Sequence, residues 1–190
     1  QLLFSEYFDE EHDRERVRLA REAVALDPKF VLGWDTLARS LRSLANKVDD
    51  EQAARLREEA ARVRAHIAGL APDHWIVKRD RAFALWREGQ WAEAIALTRE
   101  VMEGGPMSYE RAYPYTELIF SVGYLDETVD VVEQLKAIEP LAKFISRDLQ
   151  FDYTAARRID DAEAEYQRSL SLYCDDTEPT GLALHRMLAR

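Results

Sequence analysis

The chain has 190 residues, of which 47% are hydrophobic and 33% are charged. This composition provides enough apolar side chains for a folded core and excludes an intrinsically disordered chain. The 26 basic and 36 acidic residues give a net charge of −10, so nucleic acid is a poor general partner. Residues 100–140 hold nine acids and two bases, which would suit a basic partner or would simply keep the chain soluble.

The chain has one cysteine, Cys174. A single cysteine excludes an intramolecular disulfide and any zinc site built on paired cysteines. The longest nearly apolar stretch, Leu118–Leu125, is too short to span a bilayer. Residues 1–6 lack the basic region of an intact signal peptide, and there is no initiator Met. We therefore expect a cytoplasmic location and no membrane insertion, and we interpret the sequence as a fragment of a longer chain.

In chain order, the sequence repeats with a period of 34 residues. Pro72, Pro106 and Pro140 are 34 residues apart, and Gly89 and Gly123 each precede one of these prolines by 17. Glycine permits the positive φ that commonly ends a helix, and proline cannot continue a helix. Apolar residues recur at spacings of three and four throughout, as they do in amphipathic helices. Each period therefore predicts two helices, the first ending at glycine and the second near proline.

Small residues recur at one phase of this period. Ala94, Thr128 and Ala162 are 34 residues apart, at the point where the two helices of a pair must approach closely. The sequence thus resembles the tetratricopeptide repeat (TPR) family. The residues at the family's signature positions are Trp34, Leu37, Ala38 and Leu41 in the second unit, Gly89, Trp91 and Ala94 in the third, Gly123 and Pro140 in the fourth, and Leu149, Tyr153, Ala162 and Tyr166 in the fifth.

The resemblance implies an all-α fold, a right-handed superhelix of stacked antiparallel helix pairs with about five units and a terminal capping helix. It predicts a single domain over residues 1–190. The units are about 1–28, 29–72, 73–106, 107–140 and 141–174, and residues 177–190 are expected to form the cap. Such a cap covers an apolar face that the last unit would otherwise expose.

The second unit is longer than the 34-residue period by ten residues. We place the excess around Asn46–Asp50 and in a longer second helix, predicted at Glu51–Leu70. The first helix of the third unit is predicted at about Asp73–Glu88. Lys78 and Arg81 stand there at positions where the family usually has apolar residues.

The sequence offers no catalytic or metal-binding pattern. The four histidines are His12, His66, His74 and His185, and none has another histidine three or four residues away. The only glycine pair, in Gly104–Gly105–Pro106, indicates a helix end and a turn rather than a phosphate-binding loop. Acidic pairs stand at predicted helix starts, where their negative charge interacts favourably with the helix dipole. We therefore predict a protein that is not an enzyme and has no metal site and no cofactor.

The first helix of each pair is expected to line the concave face of the array. The residues of these helices that face the groove are expected to bind the partner, and the predicted partner-binding residues are Arg79, Phe83, Trp86, Arg87, Tyr113, Glu117, Phe120, Arg147 and Phe151. Aromatic and arginine side chains dominate binding hot spots, and Arg79, Arg87 and Arg147 would suit carboxylates or phosphates. Alternatively, if the true register of the helix differs from this assignment by one residue, Phe83 and Trp86 are buried in the core.

The leading functional prediction is a non-catalytic scaffold whose groove binds a protein, as a peptide or a partner helix. The family's clamp for terminal carboxylates uses Lys and Asn at groove positions, and those residues are missing here. A second prediction is a regulatory or structural arm of a larger bacterial signalling enzyme or transcription regulator. A third is self-association into a homodimer through the array ends.

Overall fold

A computed structural model describes residues 10–173, and every regular element in this range is an α-helix. The helices are α1 (Glu10–Leu26), α2 (Val31–Leu44), α3 (Asp50–Leu70), α4 (Trp75–Arg87), α5 (Trp91–Glu103), α6 (Tyr109–Ser121), α7 (Leu125–Ile138), α8 (Lys143–Ala155) and α9 (Ile159–Tyr173). The described range contains no strand. The predicted all-α fold class is therefore confirmed.

The helix bounds repeat with the period of the sequence. The first helices α4, α6 and α8 begin 34 residues apart, at Trp75, Tyr109 and Lys143, and the second helices α5, α7 and α9 likewise begin at Trp91, Leu125 and Ile159. The helix predicted at Asp73–Glu88 occupies Trp75–Arg87. This common phase places equivalent positions of α6 and α8 on equivalent helix faces.

The turns between α4 and α5, α6 and α7, and α8 and α9 share one geometry. Their residues with positive φ are Gly89 at 81°, Gly123 at 90° and Arg157 at 59°. At the first turn, the Gly89 N–H donates to the Trp86 carbonyl at 3.0 Å and the Gln90 N–H donates to the Leu85 carbonyl at 2.9 Å. This is the Schellman pattern that satisfies the last carbonyls of a helix. The positive φ predicted at Gly89 is confirmed, and Arg157 adopts the same conformation without being glycine.

The long helix of the second unit begins where the sequence predicts. The Asp49 side chain accepts a hydrogen bond from the Gln52 N–H at 2.9 Å and so caps α3. The helix has 21 residues, and its exposed acids and arginines pair along the surface. The predicted start at Glu51 differs from the observed start by one residue.

The chain divides into two compact units, Gln1–Val77 and Lys78–Arg190. In the first unit, α2 packs against α1 and α3. The core residues there include Val17, Leu41 and Ile67, together with Ile76 from the start of α4. Close contact between three amphipathic helices buries this apolar face and stabilises the unit.

The core of the second unit is formed mainly by α6–α9, with α5 packed against α6. Tyr115 of α6 and Leu149 of α8 are fully buried in it. Ala94, Thr128 and Ala162 are all at most 2% exposed, so the small residues recur at buried positions as the close approach of paired helices requires.

The segments 1–9 and 174–190 lie outside the described residues. The predicted cap at 177–190, Cys174 and His185 fall in them. The single domain, its unit boundaries and the superhelical arrangement stay predictions. Among residues 10–173, no helix has both the length and the apolar content that crossing a membrane requires.

Candidate functional site

A cavity of about 430 Å³ opens on the second unit. Its walls come from the first helices α6 and α8 and from the second helix α7 that packs against both. The lining residues are Tyr109, Tyr113, Thr116, Glu117, Phe120, Ser121, Thr128, Val132, Leu135, Arg147, Asp148, Phe151 and Asp152. The volume falls within the usual range of ligand sites in proteins.

The cavity brings together five of the nine predicted groove residues. They are Tyr113, Glu117 and Phe120 from α6 and Arg147 and Phe151 from α8. Tyr113 and Arg147 stand at equivalent places of two helices that begin 34 residues apart, as do Glu117 and Phe151, so the sequence period accounts for the convergence of these four residues.

The other four predicted residues belong to α4 and do not line this cavity. Arg79 is only 7% exposed, and its guanidinium donates to Asp80 at 2.8 Å. Phe83 and Trp86 are half-buried, and the Trp86 ring lies 5.9 Å from that of Trp91. Arg87 is exposed and donates through Nε to the Phe83 carbonyl at 3.1 Å. The cavity therefore holds one of the three arginines expected to form an anion clamp.

Aromatic rings form two groups in the cavity wall. The ring centroids of Phe120 and Phe151 are 5.3 Å apart. Those of Tyr109 and Tyr113 are 5.2 Å apart, and the ring of Phe144, which is not a lining residue, meets Tyr109 edge to face at 4.4 Å. Tyr113 is 41% exposed and Phe151 is 47% exposed, so large aromatic faces stay in contact with solvent. Such faces gain most from a ligand that removes them from water.

Two of the three carboxylates in the cavity have partners. Asp148 accepts a hydrogen bond from the Tyr109 hydroxyl at 2.9 Å and pairs with Arg147 at 3.3 Å. Burial raises the pKa of Glu117, and a hydrogen bond from Tyr113 opposes that rise. Burial and the nearby carboxylates also raise the pKa of Tyr113, which keeps its hydroxyl protonated as a donor.

The third carboxylate, Asp152, has no such partner. The residue is 7% exposed, and among residues 10–173 no group donates a hydrogen bond to its carboxylate or pairs with it. Burial, and next the negative charge of Asp148, raise the pKa of Asp152 to about 7. A buried carboxylate without a partner is costly in its charged form, so the proton stays on at a higher pH than usual.

The other buried acids of the described range show how unusual the missing partner of Asp152 is. The Asp13 carboxylate pairs with the Lys47 amine at 2.6 Å, and Asp35 pairs with Arg64. Glu165 is contacted by Lys136, Ser146 and Arg168, and these contacts hold its pKa below the ordinary value in spite of burial. Within residues 10–173, Asp152 is the buried acid that lacks a basic partner.

The lining residues that escaped the sequence prediction include three with titratable side chains, namely Tyr109, Asp148 and Asp152. The prediction assigned other places of the repeat to the groove, and these three lie at neighbouring places on the same helix flanks. One signal was present, because Asp148 and Asp152 are four residues apart and therefore share a helix face with Phe151 beside them. The sequence could not show that Asp152 would be buried.

The arrangement is suited to binding a cation with an apolar stem. Aromatic faces attract cations through their quadrupoles, and carboxylates attract them by charge. In the described residues, no three His, Cys, Asp or Glu side chains are grouped so that they could hold a metal ion.

No family model matches the sequence, and no curated protein matches it either. The solved structure of MamA 41-end from Desulfovibrio magneticus RS-1 is 13% identical, covers 84% of this chain and 94% of that one, and has a TM-score of 0.50. The MamA RS-1 ArsTM double mutant is 14% identical, with coverages of 85% and 89% and a TM-score of 0.48. The similarity to the MamA 41-end structure is a similarity of fold. Together with the 34-residue spacing of the helices, this similarity indicates that the chain has a TPR-like helical fold.

Proposed function

We propose that the protein is a non-catalytic interaction module that binds a partner protein, as a peptide or a helix, in the cavity of α6, α7 and α8. The observation that carries this proposal is the group of exposed aromatic rings converging on one open cavity of about 430 Å³. Interface hot spots are typically aromatic or arginine side chains in such pockets, and each contributes about 2 kcal/mol or more.

The packing of α8 supports this assignment. Ile145, Leu149 and Tyr153, each four residues from the next, turn one face of the helix into the core. Phe144 and Phe151 lie outside this face and are 39% and 47% exposed. Since the core of the unit is filled without them, these large apolar side chains are available for a contact with another molecule.

The proposed contact surface centres on Tyr113, Glu117, Phe120, Arg147 and Phe151. The residues of α4 that complete the predicted groove, Arg79, Phe83, Trp86 and Arg87, gain no support from the cavity. The two other predicted functions, a regulatory arm and self-association, have no observation in their favour among residues 10–173. A cytoplasmic location and a bacterial source also stay predictions.

Selection of peptides from a random display library tests the proposal. We expect the wild-type chain to select peptides that bind the Phe151→Ala variant at least tenfold more weakly, because the cavity loses half of its Phe120–Phe151 ring pair. Circular dichroism must show that the variant is folded. Tyr124→Ala is the matched control, since Tyr124 is 59% exposed and does not line the cavity.

Affinity for the selected peptides should be unchanged in Tyr124→Ala. If no selected peptide depends on Phe151, or if all bind folded Phe151→Ala as tightly as the wild type, the cavity is not the binding site.

A further inference from the structure

We infer that the cavity recognises a basic side chain of the partner, with arginine preferred over lysine, and that this side chain pairs with the carboxylate of Asp152. The inference rests on the proposed function, because it names the chemistry that the same cavity would select. Three features of the cavity support it, namely its charge, the state of Asp152 and its aromatic walls.

The charges of the lining residues favour a cation. Glu117, Asp148 and Asp152 bring three carboxylates into the cavity, whereas Arg147 is the one basic residue among the lining residues of the described range and is already paired with Asp148. An entering carboxylate or phosphate would meet net negative charge, and an entering cation would meet its complement. The excess of acids over residues 100–140 extends this negative charge along the same part of the chain.

Asp152 supplies the specific anchor. It lines the cavity, it is 7% exposed, and among the described residues nothing neutralises it. Asp13, Asp35 and Glu165, the other buried acids among residues 10–173, each have a basic partner. A basic side chain from a partner would pair with the carboxylate of Asp152 in the same way.

The aromatic walls fit the rest of an arginine or lysine side chain. Apolar stems of these residues pack against aromatic faces while the charged end reaches a carboxylate. The faces of Phe120 and Phe151 would hold the stem, and Tyr113 adds a ring that attracts the cation. Guanidinium stacks on rings and binds carboxylates with two parallel hydrogen bonds, which is why arginine is preferred.

The peptides selected on the wild-type chain test this inference directly. We expect an arginine or lysine at one fixed position, flanked by apolar residues, in the peptides whose binding depends on Phe151. Replacing that residue with glutamine, or an arginine with its neutral isostere citrulline, should weaken binding at least tenfold. Asp152→Asn should weaken binding of the basic peptide to a similar extent and should leave the citrulline peptide unaffected.

Asp130→Asn is the matched control, since it removes the same charge from an exposed position of α7 outside the cavity. Its affinity for the basic peptide should stay within twofold of the wild type. Peptides that depend on Phe151 and carry no required basic residue would overturn the inference and leave the proposed function standing. Equal binding of the basic and citrulline peptides would also overturn the inference and leave the proposed function standing. If no peptide depends on Phe151, both the inference and the proposed function fail.

Discussion

At the scale of single residues, environment rather than residue type sets the properties of the acids in this chain. Asp13 and Asp152 are both buried, but the partners of Asp13 lower its pKa, whereas burial and the negative charge of Asp148 raise the pKa of Asp152 to about 7. The first is held by Lys47 and Ser43, which offset the loss of water. The second lines the cavity together with Asp148, Glu117, Tyr109 and Tyr113, and the guanidinium of Arg147 is engaged by Asp148.

Asp152→Asn should therefore stabilise the protein in a pH-dependent way. Folding raises the pKa of Asp152 from an ordinary 3.8 to about 7, so the folded state holds a proton that the unfolded state releases between these values. The unfolding free energy of the wild type thus falls as pH rises through this window. After allowance for the solvent that reaches an open cavity, we expect Asp152→Asn to be more stable by about 2 kcal/mol at pH 8.

Urea denaturation at several pH values measures this difference, which should shrink toward zero near pH 4. Asp130→Asn, at an exposed position outside the cavity, serves as control. A gain for Asp152→Asn that is the same at pH 4 and pH 8 would show that folding does not raise the pKa of Asp152.

At the scale of helices and turns, one chain geometry is built from different residues. The turns at Gly89, Gly123 and Arg157 have positive φ at the same phase of the period. A residue with a Cβ is strained there, whereas glycine is not. The glycines made the first two turns visible in the sequence, and the third turn left no such mark.

Substitutions at these turns should have opposite effects on stability. Arg157→Gly should raise the unfolding free energy by about 1 kcal/mol because it removes a strained side chain, and Gly89→Ala should lower it by about 1 kcal/mol. A Cβ at Gly89 would meet no atom within 4 Å, so the loss would come from the backbone alone.

Gly69→Ala is the control for the second substitution. Gly69 lies inside α3 with equally open space around it, so alanine there should stabilise by up to about 1 kcal/mol. Thermal denaturation of the three variants tests the assignment, and a stabilising Gly89→Ala would contradict the strained turn.

The two faces of α8 should differ in the same kind of measurement. Leu149 is fully buried in the core, so Leu149→Ala should lower the unfolding free energy by about 3 kcal/mol. Phe151 is 47% exposed, and Phe151→Ala should cost less than about 1 kcal/mol. Urea denaturation of both variants decides the phase of the helix, since a loss of several kcal/mol in Phe151→Ala would place that ring in the core.

At the scale of the whole molecule, the described residues form two hydrophobic cores, one in each compact unit. The 34-residue period predicted consecutive helix pairs in a single array. It indicated where the helices lie because each helix depends on the spacing of apolar residues nearby in the sequence. The period could not show how the buried residues divide between cores. Side chains repeat at the same spacing whether neighbouring pairs share one core or belong to two.

The sequence by itself determined the helices, the glycine turns and five residues of the cavity, because these depend on spacing along one chain. Only the tertiary structure decided that Tyr109, Asp148 and Asp152 complete the cavity and that the predicted residues of α4 stand outside it. Asp152 is the clearest case. In the sequence it cannot be told from an exposed helical acid, and only the tertiary structure leaves it 7% exposed and without a basic partner among the described residues. Burial and the isolation of a charge depend on residues distant in sequence, and local patterns do not record them.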